Sequence, residues 1–208
     1  HPMAVGMVEG QLMWPEIDVA VVVGTRFLAP ALSWGRAGEV KIIRIDIDPV
    51  QAALPTPADV TMICHAELGL AALEAGIAQR PSAAGWVASV RDDVDGKLQT
   101  LAQQYQLARV VREELPDDGI VVTDVTQLAT FVQYGMPFYR PRTLITPGFQ
   151  GTLGYAYPTA LGAKVAYPDR KVLAICGDGG FMFNVQELST AVAHGLDVVV
   201  MVMNDGAF

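Results

Sequence analysis

Short apolar segments alternate with helical segments along most of this chain, and this alternation limits the fold more than any other sequence feature. The apolar segments are rich in β-branched residues and nearly continuous, a pattern typical of parallel strands covered on both faces. The sequence therefore predicts an α/β fold in which parallel sheets are flanked by helices. The predicted strands are Ile17–Val23, Lys41–Ile47, Val60–Ile63, Ile120–Thr123, Thr143–Ile145, Val172–Cys176 and Val198–Met203.

A single break in the alternation predicts two domains. Residues 1–80 hold three strands and a helix near 66–78, which is half of a doubly wound sheet of about five or six strands. Residues 81–95 are predicted to be a linker, because they open with Pro81 and Ser82. Residues 96–208 form the second domain, which we expect to be incomplete at its C terminus. His1 is not an initiating methionine, so we expect the chain to begin inside a longer protein. Helices of the second domain are predicted at 96–115, 128–134, 155–166 and 185–194.

Composition excludes several classes of partner. The 208 residues carry a formal charge of −8, and their 14 Lys and Arg form no run, so a nucleic-acid partner is not expected. The longest apolar stretches, such as Val198–Met203, are too short to cross a bilayer. Cys64 and Cys176 each lie in an apolar stretch. We therefore expect two buried thiols rather than a disulfide, and a reducing, cytoplasmic location.

A glycine-rich turn with one carboxylate follows the predicted strand Val172–Cys176. It reads Gly177-Asp178-Gly179-Gly180. Glycines let a backbone approach an anion closely, and N–H groups at the start of the next helix can hold phosphate oxygens without Lys or Arg. A dinucleotide fingerprint would need glycine at the sixth position, which is Met182, so that class of site is disfavoured.

A second oxygen ligand ends the next predicted strand. Asn204 lies 26 positions after Asp178, a gap filled by one strand, one helix and one further strand. If the two strands are neighbours, both side chains emerge at the same sheet edge and can reach one ion. Mg²⁺ prefers such oxygen ligands and commonly shares them with phosphates. Either residue alone could be only a turn residue, with Asn204 in an Asx turn.

These motifs resemble those of the thiamin-diphosphate-dependent enzymes, whose signature is Gly-Asp-Gly followed by Asn one strand–helix–strand unit later. The segments 146–163 and 181–194 are similar to the cofactor loop with its helix and to the helix after the metal aspartate in acetolactate synthase-like members. Residues 1–78 resemble the rear part of the family's central, Rossmann-like domain, with Val23–Phe27 and Ile45–Pro49 as strand ends. The resemblance implies that residues 96–208 have the family's thiamin-diphosphate-binding fold.

The resemblance also implies roles for individual residues at the diphosphate end of the cofactor. Asp178 and Asn204 would bind Mg²⁺ through their side chains, and Gly206 through its carbonyl oxygen. Gly179 and Gly180 would donate N–H groups to the diphosphate. Two residues of the loop after the Ile120 strand would approach the same end, although they could simply cap a helix. These are Thr126 and Gln127.

At the aminopyrimidine end, the resemblance implies a second group of contacts. The Gly151 carbonyl would accept a hydrogen bond from the amine, with Thr152 beside it. Leu153 matches the bulky apolar residue that forces the cofactor into a bent conformation, although a leucine is more often a core residue. In the bent form the amine of the aminopyrimidine lies against the thiazolium C2 proton. This proximity allows the amine to remove the proton within the same molecule.

Three departures from the family limit what the resemblance implies. Thr126–Ala129 stands where acetolactate synthases usually carry Gly-Gln-His-Gln, so the substrate-side histidine is missing. Leu28–Pro30 stands where they usually have paired aspartates in a flavin-binding region, which counts against bound FAD. The glutamate that activates the cofactor belongs to an N-terminal domain outside this chain. The catalytic residues are therefore unknown from this sequence.

The expected function is decarboxylation of a small 2-keto acid that depends on thiamin diphosphate and Mg²⁺, with carboligation as a possible second step. A simple 2-keto acid decarboxylase and a benzaldehyde lyase-like enzyme are the enzymatic alternatives. A non-catalytic module that binds a phosphorylated ligand is the alternative from another class. A nicotinamide-binding domain is disfavoured, because no glycine fingerprint lies near Val23. The resemblance implies a homodimer or homotetramer for the intact protein.

Overall fold

The structure is a computed structural model that describes residues 1, 3–36, 38–99, 103–204 and 206. It divides into two compact units between Val94 and Asp95. Each unit contains a parallel sheet with helices packed on it, which confirms the predicted α/β fold class. No helix in the described part of the chain combines the length and the apolar character needed to cross a bilayer.

The first unit is built on a three-stranded parallel sheet in the order β1-β2-β3. All three strands were predicted from their β-branched runs, and the register pairs Val22 with Arg44 and Ile45 with Met62. The short helix α3 follows β2 directly, because Asp48 caps it from two residues beyond the strand and Pro49 fits its first turn. The elements are α1 (Met7–Met13), β1 (Val19–Val23), α2 (Leu28–Leu32), β2 (Lys41–Asp46), α3 (Pro49–Ala52), β3 (Val60–Ile63) and α4 (Ala66–Gly76).

Helix α5 (Ala84–Gln99) differs from the sequence prediction. Most of the stretch 81–95, expected to be a linker, is helical, and the helix begins before the predicted start at residue 96. Pro81, Ser82 and Gly85 suggested a loop, but Val87 and Val94 lie two helical turns apart and are both buried. Apolar spacing on one helix face outweighs the local composition here.

The second unit is built on a four-stranded parallel sheet in the order β5-β4-β6-β7. The carboxyl ends of parallel strands lie together, and we call this edge of the second sheet the carboxyl edge. The predicted helix 96–115 corresponds to the end of α5 and to α6, and α9 was not predicted. The elements are α6 (Gln103–Glu114), β4 (Ile120–Thr123), α7 (Gln127–Gly135), β5 (Leu144–Ile145), α8 (Ala156–Ala166), β6 (Val172–Gly177), α9 (Asp178–Phe183), α10 (Glu187–His194) and β7 (Val199–Met203).

The core of the second unit lies on both faces of β4 and β6. Ile120 and Val122 pack with α8 on one face, whereas Val121 packs with α6 and α7 on the other. Every residue of β4 is buried. A strand covered on both faces cannot alternate polar and apolar residues, which explains the continuous apolar run in the sequence. The strands that end at the centre of the carboxyl edge, β4 and β6, are therefore the most buried elements of the unit.

Two glycines of helix α4 have opposite surroundings. A Cβ atom added to Gly69 would lie 2.6 Å from Ile45 Cγ2, and Ile45 is fully buried in β2. A Cβ atom added to Gly76 would have no atom within 4 Å. The helix approaches the first sheet closely enough that only glycine fits at position 69.

We predict that Gly69→Ala lowers the free energy of unfolding by about 1–3 kcal/mol, because the added methyl overpacks the contact with Ile45. The matched variant Gly76→Ala should leave it unchanged or raise it by up to about 1 kcal/mol through helix propensity. Urea denaturation followed by circular dichroism measures both. Equal effects of the two substitutions would contradict the close packing of α4 on β2.

Candidate functional site

Four segments of the second unit meet the carboxyl edge. They are the loop after β4, the loop that leads into α8, the glycine turn after β6 and the described residues that follow β7, Asn204 and Gly206. All of the residues predicted from the sequence to hold a cofactor or metal lie in these segments or, for Gln127, at the start of α7.

The β6–β7 pairing brings Asp178 and Asn204 to the same level of the sheet. Gly177 pairs with Met203 in the parallel register, so the next residue of each strand leaves the sheet beside the other. Asp178 is partly buried and Asn204 is exposed. The structure thus confirms that the two strands are neighbours, which the sequence could only assume.

Both side chains also make local hydrogen bonds. Asp178 Oδ1 accepts the Gly179 N–H at 2.8 Å, and Asn204 Oδ1 accepts the Gly206 N–H at 2.8 Å. The Asx turn weighed as the alternative for Asn204 is therefore present. A carboxylate or amide oxygen has a second lone pair, so these bonds leave capacity for a cation.

The donor set at this edge is poor in charged ligands. Within the described residues, no group of three or more His, Cys, Asp or Glu is placed to hold a metal ion. A cation beside Asp178 and Asn204 would have to complete its coordination with backbone carbonyls, water or ligand oxygens. That donor set fits Mg²⁺ shared with a diphosphate, because Mg²⁺ takes few protein oxygens in such sites.

The loop before α8 is shaped by glycines. Gly148, Gly151 and Gly154 all have positive φ, of 62°, 59° and 78°. A Cβ atom on Gly154 would lie 2.8 Å from Asn184 Nδ2, and that amide donates a 2.7 Å hydrogen bond to the Gly154 carbonyl. Both the backbone conformation and the close approach therefore require glycine at position 154.

Leu153 lies within this loop with 44% of its surface exposed. It is not a core residue, which was the alternative reading of its sequence. An exposed leucine in this glycine-rich loop is suited to contact an apolar part of a ligand or another protein segment. Thr152 beside it is exposed as well.

The loop after β4 lies between the other two loops. Val125 Cγ2 would be 3.7 Å from a Cβ atom on Gly151, and Thr126 Cγ2 would be 3.5 Å from one on Gly177. Thr126 caps α7 by accepting the Ala129 N–H at 3.0 Å, as the helix-cap alternative anticipated. Gln127 is exposed in the first turn of that helix.

Asp124 is the site residue that the sequence analysis missed. Only 1% of it is exposed, and its carboxylate accepts the N–H groups of Gly154, Tyr155 and Ala156 at 3.2, 2.8 and 3.2 Å. A Cβ atom on Gly180 would lie 2.6 Å from Asp124 Oδ2. The available signal was an acidic residue directly after the short strand Ile120–Thr123, whose residues are apolar up to Thr123, a position where an unpaired charge is costly.

Burial raises the pKa of Asp124 above its usual value, and the three N–H groups oppose this shift. Because the pKa is raised in the folded state, the folded chain binds more protons than the unfolded chain between the two pKa values. The contribution of this group to stability is therefore fully present below the unfolded pKa and is lost as the pH rises through the folded pKa. The three N–H donors are the groups that favour the ionised form of this buried carboxylate.

Other titratable residues singled out in the sequence have structural roles. Burial, with a smaller effect of Asp124, raises the pKa of Cys176 to about 12, and both Cys64 and Cys176 are free thiols. His65 caps α4 through the Glu67 N–H. Asp46 accepts the Asp48 N–H, so it ends its strand in a turn. The prediction of two thiols without a disulfide is confirmed, and Cys176 is buried as expected, whereas Cys64 is only partly buried.

Comparison with known proteins agrees with this geometry. Residues 124–208 match the family described as thiamine pyrophosphate enzyme, C-terminal TPP binding domain. The match begins at Asp124 and contains all four segments of the carboxyl edge. The chain belongs to the thiamin-diphosphate-dependent enzyme family.

Individual relatives cover almost all of this chain. It is 32% identical to the acetolactate synthase isozyme 1 large subunit of Escherichia coli, over 100% of the chain and 39% of that protein. It is 30% identical to a probable acetolactate synthase large subunit of Methanococcus aeolicus, over 99% of the chain and 39% of that protein. It is 35% identical to the probable 2-ketoarginine decarboxylase AruI of Pseudomonas aeruginosa, over 95% of the chain and 37% of that protein. The chain thus spans about two fifths of the length of these relatives.

Proposed function

We propose that the carboxyl edge binds thiamin diphosphate through Mg²⁺, with Asp178 and Asn204 as side-chain ligands and the Gly206 carbonyl as a third protein oxygen. The observation that carries this proposal is the pairing of Gly177 with Met203, because it makes Asp178 and Asn204 the next residues of two neighbouring strands. The match of residues 124–208 to the thiamin-diphosphate-binding domain supports the same ligand. No other described carboxylate follows β6 or β7 directly.

The diphosphate itself would be held by backbone groups. Gly179 and Gly180 lie in the first turn of α9, where N–H groups have no carbonyl partner within the helix and carry partial positive charge. The Gly179 N–H also donates to Asp178 Oδ1, and a diphosphate oxygen would share this donor. With a formal charge of −8 on the chain, backbone donors and a metal ion are the means of binding an anion without a basic cluster. We assign Thr126 and Gln127 to the same end of the ligand, since Thr126 lies close to Gly177.

The aminopyrimidine end would lie against the loop before α8. We assign the Gly151 carbonyl as acceptor for the amine, with Thr152 beside it and Leu153 as the apolar support of the bent cofactor. The exposed surface of Leu153 supports this role, because a core leucine would be covered by its own chain. The left-handed conformation of Gly151 turns the loop at this point.

When bound, thiamin diphosphate supplies a carbon nucleophile that adds to a keto carbon and accepts the electrons released as CO₂ leaves. The residues of this chain bind, orient and shield the cofactor. We propose that the activating glutamate belongs to another segment of the intact protein, which would be a cytoplasmic homodimer or homotetramer. Residues 1–80 are assigned to the rear of the central domain, and Leu28–Pro30 argues against FAD there.

The reaction we propose is decarboxylation of a small 2-keto acid followed by carboligation, as in the acetolactate synthases that the chain resembles. A simple decarboxylase is the second candidate, because a probable 2-ketoarginine decarboxylase is among the similar proteins. The sequence Thr126–Ala129, which lacks a histidine, also sets the chain apart from typical acetolactate synthases. A benzaldehyde lyase-like enzyme and a non-catalytic phospho-ligand module are the remaining alternatives.

Asp178→Asn should raise the dissociation constant of thiamin diphosphate in the presence of Mg²⁺ by about tenfold or more, because the substitution removes the only charged protein ligand of the proposed metal. Isothermal titration calorimetry on the intact protein measures this. The matched control is Asp169→Asn, which neutralises an exposed carboxylate in the turn before β6. Unchanged affinity in Asp178→Asn would exclude the proposed metal site.

Product analysis separates the enzymatic candidates. With pyruvate, Mg²⁺ and thiamin diphosphate, the intact protein should form acetolactate if carboligation follows decarboxylation. Acetaldehyde without acetolactate would instead identify a simple decarboxylase. Tight binding of the cofactor with no turnover of pyruvate, 2-ketoarginine or benzoin would favour the non-catalytic module.

A further inference from the structure

The two halves of the proposed cofactor site are joined inside the protein by one carboxylate. The loop before α8 carries the proposed aminopyrimidine contacts, whereas α9 carries the proposed diphosphate and metal contacts. Asp124 lies between them at the end of β4, and its buried carboxylate touches both segments. It takes no part in the ligand contacts assigned above.

On the side of the loop, the carboxylate accepts three consecutive backbone N–H groups. Oδ1 accepts those of Tyr155 and Ala156, and Oδ2 accepts that of Gly154. Tyr155 and Ala156 begin helix α8, where no side chain of the helix itself supplies a cap. A negative charge at a helix N terminus is favourable, so Asp124 fixes both the start of α8 and the end of the loop.

On the side of α9, the Asp124 carboxylate makes a close packing contact with Gly180. Oδ2 lies 2.6 Å from the position of a Cβ atom on Gly180, so the carboxylate fills the space that any other residue at 180 would occupy. The Gly154 amide would be 3.5 Å from the same Cβ position. The carboxylate thus lies between the loop and α9 and is close to both.

Asn184 ties the same two segments from the other side. It follows α9, and its Nδ2 donates a hydrogen bond of 2.7 Å to the Gly154 carbonyl. Gly154 is therefore held at both its N–H and its carbonyl oxygen. This double attachment fixes the residue next to Leu153.

We propose that Asp124 is a positioning residue that sets the aminopyrimidine loop at a fixed distance from the diphosphate-binding turn. This inference rests on the proposed function of the carboxyl edge. A bent ligand that contacts both segments needs their separation to be fixed before it binds, because freedom in the loop would reduce affinity through the cost of ordering. A ligand that contacts only α9 would not depend on this attachment.

Thiamin diphosphate and inorganic diphosphate together provide a test of this role. A general loss of stability would weaken the binding of both ligands, whereas loss of the positioning role should weaken only the binding of thiamin diphosphate. In the intact protein, Asp124→Asn keeps the size of the side chain but turns an N–H donor toward one of the three N–H groups. Its dissociation constant for thiamin diphosphate with Mg²⁺ should rise by about tenfold, as expected for lost hydrogen bonds to a charged group. The constant for inorganic diphosphate with Mg²⁺ should change by less than about twofold, because that ligand makes none of the contacts assigned to the loop before α8.

Asn184→Ala provides a second variant in case Asp124→Asn does not fold. It leaves the carboxylate in place, removes the bond to the Gly154 carbonyl, and should show the same separation between the two ligands. Asp169→Asn is the control and should bind both ligands as the unaltered protein does. Hydrogen exchange of the Gly154, Tyr155 and Ala156 amides should become faster in Asp124→Asn.

Equal loss of affinity for both ligands, or unchanged affinity for thiamin diphosphate, would overturn the positioning role. Binding of both ligands to the unaltered protein distinguishes a failure of the positioning role from a failure of the proposed function. If the unaltered protein binds neither ligand, the proposed function is wrong and the positioning role falls with it. If it binds both and the variants show no separation, only the role of Asp124 is wrong.

Discussion

The parallel pairing of β6 with β7 is the constraint on which the candidate site depends. It fixes Gly177 opposite Met203, and the residues that follow emerge together at the carboxyl edge. Antiparallel pairing, or a strand inserted between the two, would separate Asp178 from Asn204 and leave two unrelated turn residues. The burial of β4 and β6 on both faces keeps this arrangement rigid, because neither strand can shift without exposing apolar side chains.

A second constraint on the site is the set of hydrogen bonds that fixes the loop before α8. The loop before α8 carries no regular structure beyond a short 3₁₀ turn at Gly148–Gln150, so hydrogen bonds from outside it must fix its shape. Asp124 and Asn184 supply them at Gly154. The site therefore combines strand ends positioned by the sheet with a loop positioned by buried polar contacts. The three N–H donors of Asp124 oppose the cost of burying its carboxylate without cancelling it.

The sequence predicted the strands of both sheets because buried parallel strands leave a continuous apolar run, which a single sequence displays. It also predicted which residues lie at the carboxyl edge, since glycine turns and polar strand ends are local signals. It did not predict α5 from residue 84, where apolar spacing competed with Pro81 and Gly85. Asp124 was missed for a different reason, because its partners lie about 30 residues away and are backbone groups that any sequence would carry.

Binding of a divalent metal between Asp178 and Asn204 is the central claim, and a crystal structure of the intact protein grown with thiamin diphosphate and Mn²⁺ tests it most directly. Mn²⁺ accepts the same oxygen ligands as Mg²⁺ and scatters anomalously, so its position can be found without reference to the protein coordinates. We predict an anomalous peak between the Asp178 carboxylate and the Asn204 amide oxygen. A peak elsewhere, or ordered diphosphate with no metal at these two side chains, would contradict the account.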